Sequence, residues 1–593
     1  MAGPAPLTLL ADRRFWPLWL SQFLAAYLDN FVLMGGALML GMLPTAHPLA
    51  ALALGTALFT LPFLLFSAWG GSLAERWEPG PLIARLRLAA LAILPVLCYG
   101  VWSGSLTLVG LGLFAMGSVA ALMGPVKYAA LRRLLPPERV VAGTGWLVAG
   151  TFAAILLGRD SFIRFGPLAT MAMPLALAIL AWAASLALPR PAATAPRRGA
   201  APAGTVATLR LLAAQPRALR LSVLGLSWFW LLGAVTVSVA TSRTDLAGLL
   251  PALVGGVALG ALLCDRLSGR RVEPALVPLG ALGISLAGLD LALAGLAPGA
   301  SPWRAPLDLA LLGLSAGLYA VPLYGILLSR APEGACGRLI AANNIVNAGF
   351  MLVGLLAAQG LGAALEDGRP VLLLVLPALN AAIAIYICTL VPEFLMRFLA
   401  WGLIGLGYRV RRRGLEHVPE DGPAVLVCNH VSYVDALIIG GSIRRPVRFV
   451  MDAGIFRVPV LNFIFRTAGT IPIASQKSDP ETYERAFARI AAYLRDGELV
   501  LIFPEGRLTR DGAMGPFRPG VERILRETPA PVVPLALRGL WGSLFSWSEG
   551  RAVWKRPRRF RARIELAAGP LLPPTATAAE MEAAVRGLRG DAA

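Results

Sequence analysis

Residues 15–40 read FWPLWLSQFLAAYLDNFVLMGGALML, an apolar run in which Asp29 is the only charged side chain. An α-helix needs about 20 consecutive apolar residues to cross the hydrocarbon core of a bilayer. The run therefore predicts a membrane-spanning helix. The whole chain is 57% hydrophobic and 15% charged, and a soluble core does not account for so much apolar sequence.

Similar apolar runs recur as far as Leu390, and with the first they predict an all-α membrane domain of twelve helices over residues 1–391. The loop 189–220, rich in Ala, Pro and Arg, divides the helices into two halves of six, as in transporters made of two repeats. The further predicted spans are Leu49–Ser67, Leu88–Trp102, Leu106–Met123, Val140–Leu157, Leu168–Leu188, Leu221–Ala240, Leu246–Cys264, Ala275–Leu296, Leu307–Leu328, Leu339–Leu361 and Val371–Leu390.

Basic residues predict which side each loop faces. Arginine and lysine crowd one set of alternating loops, and cytoplasmic loops carry such an excess. Both termini are therefore predicted to face the cytoplasm from the inner (plasma) membrane. The basic residues assigned to these loops are Arg13, Arg14, Arg76, Arg85, Arg87, Lys127, Arg132, Arg133, Arg139, Arg190, Arg197, Arg198, Arg210, Arg217, Arg266, Arg270, Arg271, Arg330 and Arg338.

The formal net charge is +20, which nucleic-acid binding would also explain. The arginines, however, lie in short loops between apolar runs and in the last third of the chain, a pattern that suits anionic lipid headgroups. We therefore expect a membrane partner and no nucleic acid. The five cysteines form no metal-like pair, so the sequence predicts neither a metal site nor a disulfide framework.

The sequence changes character after Pro392. Residues 392–413 are predicted to form an amphipathic linker and residues 414–593 an α/β domain, because short strand-like runs alternate with helical stretches such as Glu481–Arg495. The predicted strands are Ala424–Cys428, Val447–Met451, Thr470–Ile473, Leu499–Phe503 and Pro531–Leu537.

The stretch 427–435, VCNHVSYVD, carries the strongest local signal for chemistry. A helix that begins just after His430 would turn Asp435 back toward the imidazole. A carboxylate that holds one ring nitrogen leaves the other free as a general base. Taken alone, the pair is more often a structural histidine that caps a helix or bonds to backbone, since the spacing is common by chance. No serine or cysteine nucleophile is required, because a substrate hydroxyl can attack.

Further motifs follow in order: Phe503-Pro504-Glu505-Gly506-Arg507, then Phe517-Arg518-Pro519-Gly520, then Val533-Pro534. With Asn429-His430 and Asp435, this order closely resembles the glycerophospholipid acyltransferases over roughly residues 414–571. The resemblance implies a C-terminal α/β acyltransferase domain.

In that family the histidine and aspartate form the catalytic dyad, so the resemblance assigns these roles to His430 and Asp435. It also implies substrate binding by the residues of the neighbouring motifs. Two features depart from the commonest family pattern: Arg507 follows Gly506 directly, and residues 469–474 hold no arginine. Both are consistent with a lysophospholipid whose phosphate already bears a headgroup. The implied substrate-binding residues are Asn429, Glu505, Gly506, Arg507, Arg518 and Pro534.

The membrane domain also carries polar residues at unusual positions. Asp29-Asn30 lies deep in the first span, where an ionisable group is costly and usually functional. A structural pairing with a neighbouring helix is the alternative. The other candidate transport residues are Glu75 and Arg76 after the second span, Lys127 in the predicted loop after the fourth, and Asn343, Asn344 and Asn347 near the start of the eleventh.

These positions resemble the lysophospholipid transporter branch of the major facilitator superfamily over about residues 15–390. The resemblance implies a bundle of the major facilitator type with two six-helix halves. Where that branch carries an acidic residue in the fifth span, this chain has Val148. Transport that depends on such a carboxylate would therefore work differently here.

Together, the two resemblances imply that the protein moves a lysophospholipid to the cytoplasmic leaflet and reacylates it to a diacyl phospholipid. The donor would be acyl-acyl carrier protein or acyl-coenzyme A, with no bound cofactor. Two alternatives stay open: a lysophosphatidate acyltransferase of de novo synthesis with a membrane anchor, and a transporter of another amphiphile. A basic cluster would contact anionic lipid or an acidic carrier protein: Arg551, Lys555, Arg556, Arg558, Arg559, Arg561 and Arg563.

Overall fold

The computed structural model forms two compact units, Met1–Cys388 and Thr389–Ala593. Its described residues are 9–40, 48–189, 203–242, 248–268, 273–296, 301–332, 334–364, 369–390, 396, 400, 402–405, 407–443, 445–457, 462, 465–466, 468–548 and 562–590. Of the predicted basic cluster, these ranges contain Arg563 alone.

Unit 1 is helical. Within its described ranges, eleven helical segments are long and apolar enough to cross a membrane, and Ala172–Leu186 is a shorter apolar helix. The predicted all-α membrane bundle is therefore confirmed. Its helices are α1 (Trp16–Leu40), α2 (Pro48–Arg76), α3 (Pro79–Trp102), α4 (Leu106–Leu134), α5 (Pro137–Leu186), α6 (Thr205–Ala213), α7 (Arg217–Ser242), α8 (Leu250–Leu267), α9 (Leu276–Leu296), α10 (Arg304–Arg330), α11 (Cys336–Ala364) and α12 (Arg369–Leu390).

Helix α5 covers both the fifth and the sixth predicted spans in 50 residues. A straight helix of that length would extend about 75 Å, far beyond a bilayer. Its two halves nevertheless approach the same part of α1: Tyr27 is hydrogen-bonded to Ser161 at 2.5 Å, while Ala178 lines a cavity together with Ala25. The chain therefore bends back within α5, as two spans require.

Several helices extend beyond their predicted ends. Residues 70–76 were predicted as a loop but form the last turns of α2, and residues 124–128 lie inside α4. Arg87, which we assigned to a cytoplasmic loop, lies inside α3 and is only 6% exposed. These segments were misassigned because apolar periodicity stops before a helix does when its last turns carry polar residues that pack against other helices.

Glycines bring α8 and α10 into direct backbone contact. A Cβ on Gly256 or Gly260 would lie 2.1 or 2.0 Å from a carbonyl oxygen of α10, and one on Gly313 would lie 2.0 Å from the Leu253 carbonyl oxygen. Small residues four apart allow such close packing between membrane helices. The C-terminal half of unit 1 thus depends on two facing glycine pairs, with Gly317 as the fourth member.

Unit 2 contains one seven-stranded sheet with strand order β1-β7-β6-β2-β5-β3-β4. Strand β2 pairs in parallel with β5 and β6, whereas β7 runs antiparallel to β6 and parallel to β1. The strands are β1 (Tyr408–Arg413), β2 (Ala424–Cys428), β3 (Val447–Asp452), β4 (Ile471–Ile473), β5 (Leu499–Ile502), β6 (Val532–Arg538) and β7 (Ala562–Ala568).

Helices cover both faces of this sheet. One face packs against α13 (Asp435–Ser442) and against Ala400 and Ile404, which precede β1. The other packs against α14 (Pro480–Arg495), α15 (Gly520–Glu527) and α16 (Ala578–Arg589). The predicted α/β class is therefore confirmed.

The sheet begins earlier than the sequence predicted. Strand β1 is the six-residue segment YRVRRR, which lies inside the predicted linker 392–413, so the predicted boundary at 414 falls just after a strand. Strand β1 was not predicted because it is an edge strand in which exposed arginines alternate with only two inward residues, Tyr408 and Val410. The described part of the predicted amphipathic linker contributes Ala400 and Ile404 to the core, while Arg397, in the same segment, lies outside the described residues.

We predict that Gly260→Leu destabilises the membrane unit by roughly 3 kcal/mol, because its side chain would overlap the Leu314 carbonyl and force α8 away from α10. The thermal stability of detergent-solubilised protein, followed by size-exclusion chromatography, measures the effect. Gly255→Leu is the matched control, since a Cβ at Gly255 meets nothing within 4 Å. Equal losses in both variants would contradict the proposed helix contact.

Candidate active site

The site lies where two neighbouring parallel strands end. Val427 of β2 is in register with Ile502 of β5, so the residues that follow the two strands meet at the same edge of the sheet. Those residues are His430 after β2 and Glu505 after β5. The parallel register therefore brings together two motifs that lie 75 residues apart in the sequence.

His430 and Asp435 form a hydrogen-bonded pair. The Nδ1 atom of His430 lies 2.9 Å from Oδ2 of Asp435. The same oxygen accepts the backbone N–H groups of Val431 and Ser432 at 2.6 and 2.9 Å. Asp435 is completely buried, whereas the His430 side chain is 23% exposed. The arrangement gives Nδ1 the proton and leaves Nε2 as the nitrogen able to accept one.

The helix that carries Asp435 begins later than the sequence predicted. We expected a helix just after His430, but α13 starts at Asp435 itself. A turn over residues 430–434 reverses the chain, and the carboxylate at the helix start binds N–H groups of that turn. The dyad is therefore held by a side chain that also organises the turn.

Glu505 joins the two loops at this edge. Its Oε1 accepts the backbone N–H of His430 at 2.7 Å, and its Oε2 accepts the backbone N–H of Gly515 at 2.7 Å. Glu505 is 5% exposed. Burial raises the pKa of its carboxyl group above the usual value, while the two N–H donors oppose that shift. Both oxygens are thus occupied by backbone, so Glu505 positions the site.

Two contacts with His430 were not foreseen from the sequence. The Phe503 ring stacks on the imidazole with centroids 4.0 Å apart and planes 13° apart. The backbone N–H of Thr509 donates to the carbonyl oxygen of His430 at 3.0 Å. Phe503 is the first residue of the motif 503–507 and directly follows β5, which lies next to β2. That position in the sequence could have predicted its contact with the His430 ring. The Thr509 bond depends on loop geometry, which leaves no such signal.

Asn429 ties the site to the next strand. Its Oδ1 accepts the backbone N–H of Leu537 at 2.8 Å, and its Nδ2 donates to the Leu537 carbonyl at 3.0 Å. The side chain is 1% exposed. In this structure Asn429, predicted to bind substrate, fixes the end of β2 against β6.

Gly506, Arg507 and Arg518 form the exposed side of the same loop. Gly506 has φ +68°, a left-handed conformation that favours glycine. A Cβ there would lie 2.8 Å from Cζ of Arg518, so this guanidinium covers the glycine. Arg507 and Arg518 are both exposed. Two cations thus stand beside the turn that carries Glu505, as a phosphate-binding surface requires.

Pro534 does not share this surface. It lies within β6, in register with Val427, and it is buried. Its ring would contact a side chain placed at Gly569. The structure therefore places Pro534 in the core of the sheet, away from the exposed arginines, although the motif predicted substrate contact.

Cys428 lies next to the dyad without the properties of a nucleophile. The residue is fully buried. Burial, followed by the negative charges of Asp435 and Glu505, raises the pKa of its thiol well above the usual value. The thiol therefore stays protonated, and thiolate chemistry is not available at this position.

In unit 1, Asp29 lies about halfway along α1 and lines a cavity together with Arg87 of α3. It lies close enough to Arg87 and Lys127 for electrostatic interaction. The buried Arg87 also donates from Nε to Ser21 Oγ at 3.1 Å and from Nη2 to Gln22 Oε1 at 3.2 Å. Arg87 is the member of this cluster that sequence reasoning missed.

Glu75, at the end of α2, pairs with Arg338 near the start of α11. Its Oε2 lies 2.9 Å from Nε of Arg338, and its Oε1 accepts the Arg338 backbone N–H at 3.1 Å. Arg76, the neighbouring candidate transport residue, is the last residue of α2. Glu75 therefore connects a helix of the first half of unit 1 to one of the second.

The predicted asparagines have different surroundings. Asn30 donates to the Ala26 carbonyl within its own helix at 2.8 Å, and Asn347 accepts a hydrogen bond from Ser227 at 2.7 Å. Asn343 is fully buried, and Asn344 faces Gly124 of α4. Val148 lies in α5 and is 5% exposed.

The comparisons with known proteins agree with this architecture. Residues 409–538 match the family model described as Acyltransferase. The fold of the N-terminal region is similar to that of the human organic anion transporter MFSD10 (TETRAN), at TM-score 0.50 and 16% identity, over 63% of this chain and 99% of that one. The chain is thus a multi-pass membrane protein in which a helical membrane domain, similar in fold to that transporter, is joined to a domain that matches the acyltransferase family model.

Two curated relatives are similar over the acyltransferase region. The 1-acyl-sn-glycerol-3-phosphate acyltransferase BAT2, chloroplastic, of Brassica napus is 33% identical over 144 residues, 24% of this chain and 41% of that protein. The 1-acyl-sn-glycerol-3-phosphate acyltransferase of Pseudomonas aeruginosa is 32% identical over 142 residues, 24% of this chain and 54% of that protein. This chain therefore matches about half the length of these relatives or less.

We predict that Gly506→Ala raises the KM for the acyl acceptor several-fold, because the methyl group displaces Arg518 and the backbone is strained by about 1–2 kcal/mol. Steady-state kinetics at saturating donor measure the change. Gly422→Ala is the control, since Gly422 has φ +80° but open space around its Cα. A similar KM in both variants would show that strain, and not the Arg518 contact, is responsible.

Proposed function

We propose that this protein is a lysophospholipid O-acyltransferase whose membrane domain delivers the acceptor to the cytoplasmic leaflet. The observation that carries the proposal is the hydrogen-bonded pair of partly exposed His430 and buried Asp435 after β2, beside two exposed arginines. The domain match to the acyltransferases supports the reaction class.

In the proposed reaction, His430 Nε2 removes the proton from the glycerol hydroxyl of the acceptor as its oxygen attacks the thioester carbonyl carbon. Asp435 orients the ring and stabilises the imidazolium that forms. When the tetrahedral intermediate collapses, the C–S bond breaks and the imidazolium returns the proton to the thiolate. The products are a new ester and a free thiol, and no metal or bound cofactor takes part.

Arg507 and Arg518 would hold the phosphate of the acceptor. Both guanidinium groups are exposed next to Gly506, and guanidinium groups form charge-assisted hydrogen bonds with phosphate oxygens. Glu505 would act indirectly, since its two oxygens hold the backbone of His430 and Gly515. Asn429 likewise would support the site through β6.

For transport, we propose that the Asp29, Arg87 and Lys127 cluster meets the polar headgroup of the lysophospholipid. Charged groups inside a membrane domain are costly and usually serve the substrate path. Fusion of the two activities in one chain raises the local concentration of each acceptor molecule at the acyltransferase. Location in the inner membrane with cytoplasmic termini, as the loop charges predict, would place both in the compartment that holds acyl thioesters.

A second candidate acceptor has direct support. The relatives named above are 1-acyl-sn-glycerol-3-phosphate acyltransferases, so lysophosphatidate is the alternative substrate and the membrane domain would then serve as an anchor. Purified protein assayed with lysophosphatidate, lysophosphatidylethanolamine and lysophosphatidylglycerol, each with acyl-coenzyme A and acyl-acyl carrier protein, separates the two. A preference for lysophosphatidate over the other acceptors would refute our proposal.

We predict that His430→Ala lowers the rate of acyl transfer by roughly 10²–10⁴, the usual effect of losing a general base. The side chain is partly exposed, so truncation opens no large cavity. Acyl transfer to detergent-presented lysophospholipid gives the rate, and unchanged thermal stability is the control for folding. Near-normal activity in correctly inserted protein would disprove the dyad.

We predict that Asp29→Asn reduces lysophospholipid uptake into vesicles and leaves acyl transfer to detergent-presented substrate near normal. The substitution keeps the shape of the side chain and removes the charge that interacts with Arg87 and Lys127. Asn30→Asp, which places a carboxylate one residue further along α1, is the control that tests whether the position of the charge matters. Normal uptake by Asp29→Asn would exclude this carboxylate from transport, and a parallel loss of both activities would indicate tighter coupling than a tether provides.

A further inference from the structure

A groove of about 500 Å³ runs along β6, β7 and β1 of unit 2. We call it the arginine groove, because its lining includes Arg409, Arg411, Arg538 and Arg563, together with Glu565. Its composition follows from strand geometry. Tyr408, Val410 and Ile564 point into the core that contains α13, and side chains alternate along a strand. The arginines between them therefore project from the opposite face.

The guanidinium groups of this groove are poorly neutralised. Over the described ranges, no carboxylate lies within ion-pair distance of Arg409, Arg411 or Arg563. Arg538 donates to the Leu588 carbonyl at the end of α16, and its Nε is buried without a hydrogen-bond partner among the described residues. Four guanidinium groups thus face one carboxylate, a balance that favours an anionic ligand.

Protection of an exposed sheet edge is the simpler explanation for arginines on β1, since edge strands often carry charges that prevent association. It does not explain the groove. Arg538 and Arg563 lie on β6 and β7, each of which is paired on both sides. Their convergence with Arg409 and Arg411 needs a second reason, which a bound anion supplies.

The groove opens at the same edge of the sheet as the dyad. Leu537, which holds the Asn429 amide, immediately precedes Arg538. Because β7 is antiparallel to β6, its first residues, including Arg563, lie at the edge where β6 ends. Tyr408 of β1 is near enough to Asp435 for electrostatic interaction. At the usual strand spacing, β7 and β1 lie about 10 and 14 Å from β2.

We propose that the arginine groove binds the phosphate groups of the acyl donor, a coenzyme A thioester, while its pantetheine arm reaches along the sheet edge to His430. This inference rests on the acyl transfer proposed above and identifies its donor. The arm is comparable to four extended residues, on the order of 14 Å, which matches the span from β1 to β2. The groove volume suits a nucleotide, and three phosphates match several guanidinium groups better than the single phosphate of a carrier protein does.

The test variant is Arg411→Gln with Arg563→Gln, because both side chains are exposed and neither belongs to the core. The matched control is Arg485→Gln with Arg489→Gln, two exposed arginines of α14, which packs against β4 and β5, beyond β2 from the groove. Full-length protein in phosphatidylcholine nanodiscs is assayed for the KM of palmitoyl-coenzyme A, the KM of palmitoyl-acyl carrier protein, the KM of lysophospholipid and kcat, and the donor KM is measured again in anionic nanodiscs. Arg411→Lys with Arg563→Lys is the variant that retains both charges.

We expect the glutamine pair to raise the KM for palmitoyl-coenzyme A about tenfold, as the loss of charge-assisted hydrogen bonds implies, while kcat and the acceptor KM change less than twofold. The lysine pair should show a smaller increase and the control pair none. An unchanged donor KM would overturn the proposal. So would an increase confined to palmitoyl-acyl carrier protein, which would indicate a protein surface, or one seen only with anionic nanodiscs, which would indicate lipid.

Direct binding separates this inference from the proposed function. Adenosine 3′,5′-bisphosphate, which lacks the thioester, should bind to His430→Ala protein, and it should bind about tenfold more weakly when Arg411→Gln and Arg563→Gln are added to that variant. This calorimetric measurement needs no turnover. Wild-type protein that binds the nucleotide yet acylates no lysophospholipid would contradict the proposed function alone. Active protein whose nucleotide affinity does not depend on the groove would contradict the groove alone.

Discussion

The parallel pairing of β2 with β5 is the constraint on which the acyltransferase unit depends. Val425, Val427, Leu499 and Leu501 are fully buried in this pair, because helices cover both faces of the sheet. The register of the pair fixes where the strands end, and hence the 2.7 Å bond from the His430 N–H to Glu505. Burial of apolar side chains thus determines the position of a polar site.

In the membrane unit, the corresponding constraint is the burial of charged side chains. Arg87 is 6% exposed, and its guanidinium binds Ser21 and Gln22 of α1. A buried cation without partners would be costly, so Asp29 and the two neutral acceptors explain its presence. Lys127 adds a second cation to one carboxylate. The two cations exceed the single carboxylate by one positive charge, which is consistent with an anionic headgroup as a further counter-ion.

How much of the fold and of the site the sequence predicts depends on whether a feature lies within one segment or between distant segments. Strands β2 to β6 were recognised because they are continuous apolar runs between covered faces. Strand β1 was missed because four of its six residues are arginine. The contact between His430 and Asp435 was predicted from their spacing, and their catalytic role from the resemblance of the ordered motifs, whereas Phe503 on His430 and Arg87 near Asp29 depend on contacts between distant segments. Counting Arg87 as a loop charge failed because loop assignment presumes that cations avoid the helix interior.

The geometry also changes what the Glu505-Gly506-Arg507 motif can contribute to specificity. Glu505 is buried, and each of its oxygens accepts a backbone N–H, so no lone carboxylate oxygen faces a substrate. Its ionised form is favoured by those donors although burial raises its pKa. In the proposed function, selection of the acceptor would fall to the exposed side of the turn, where the Gly506 conformation lets Arg518 approach the backbone beside Arg507. Under that proposal, changes at these two arginines would adapt the site to a different headgroup while the Glu505 contacts and the His430–Asp435 pair stay as they are.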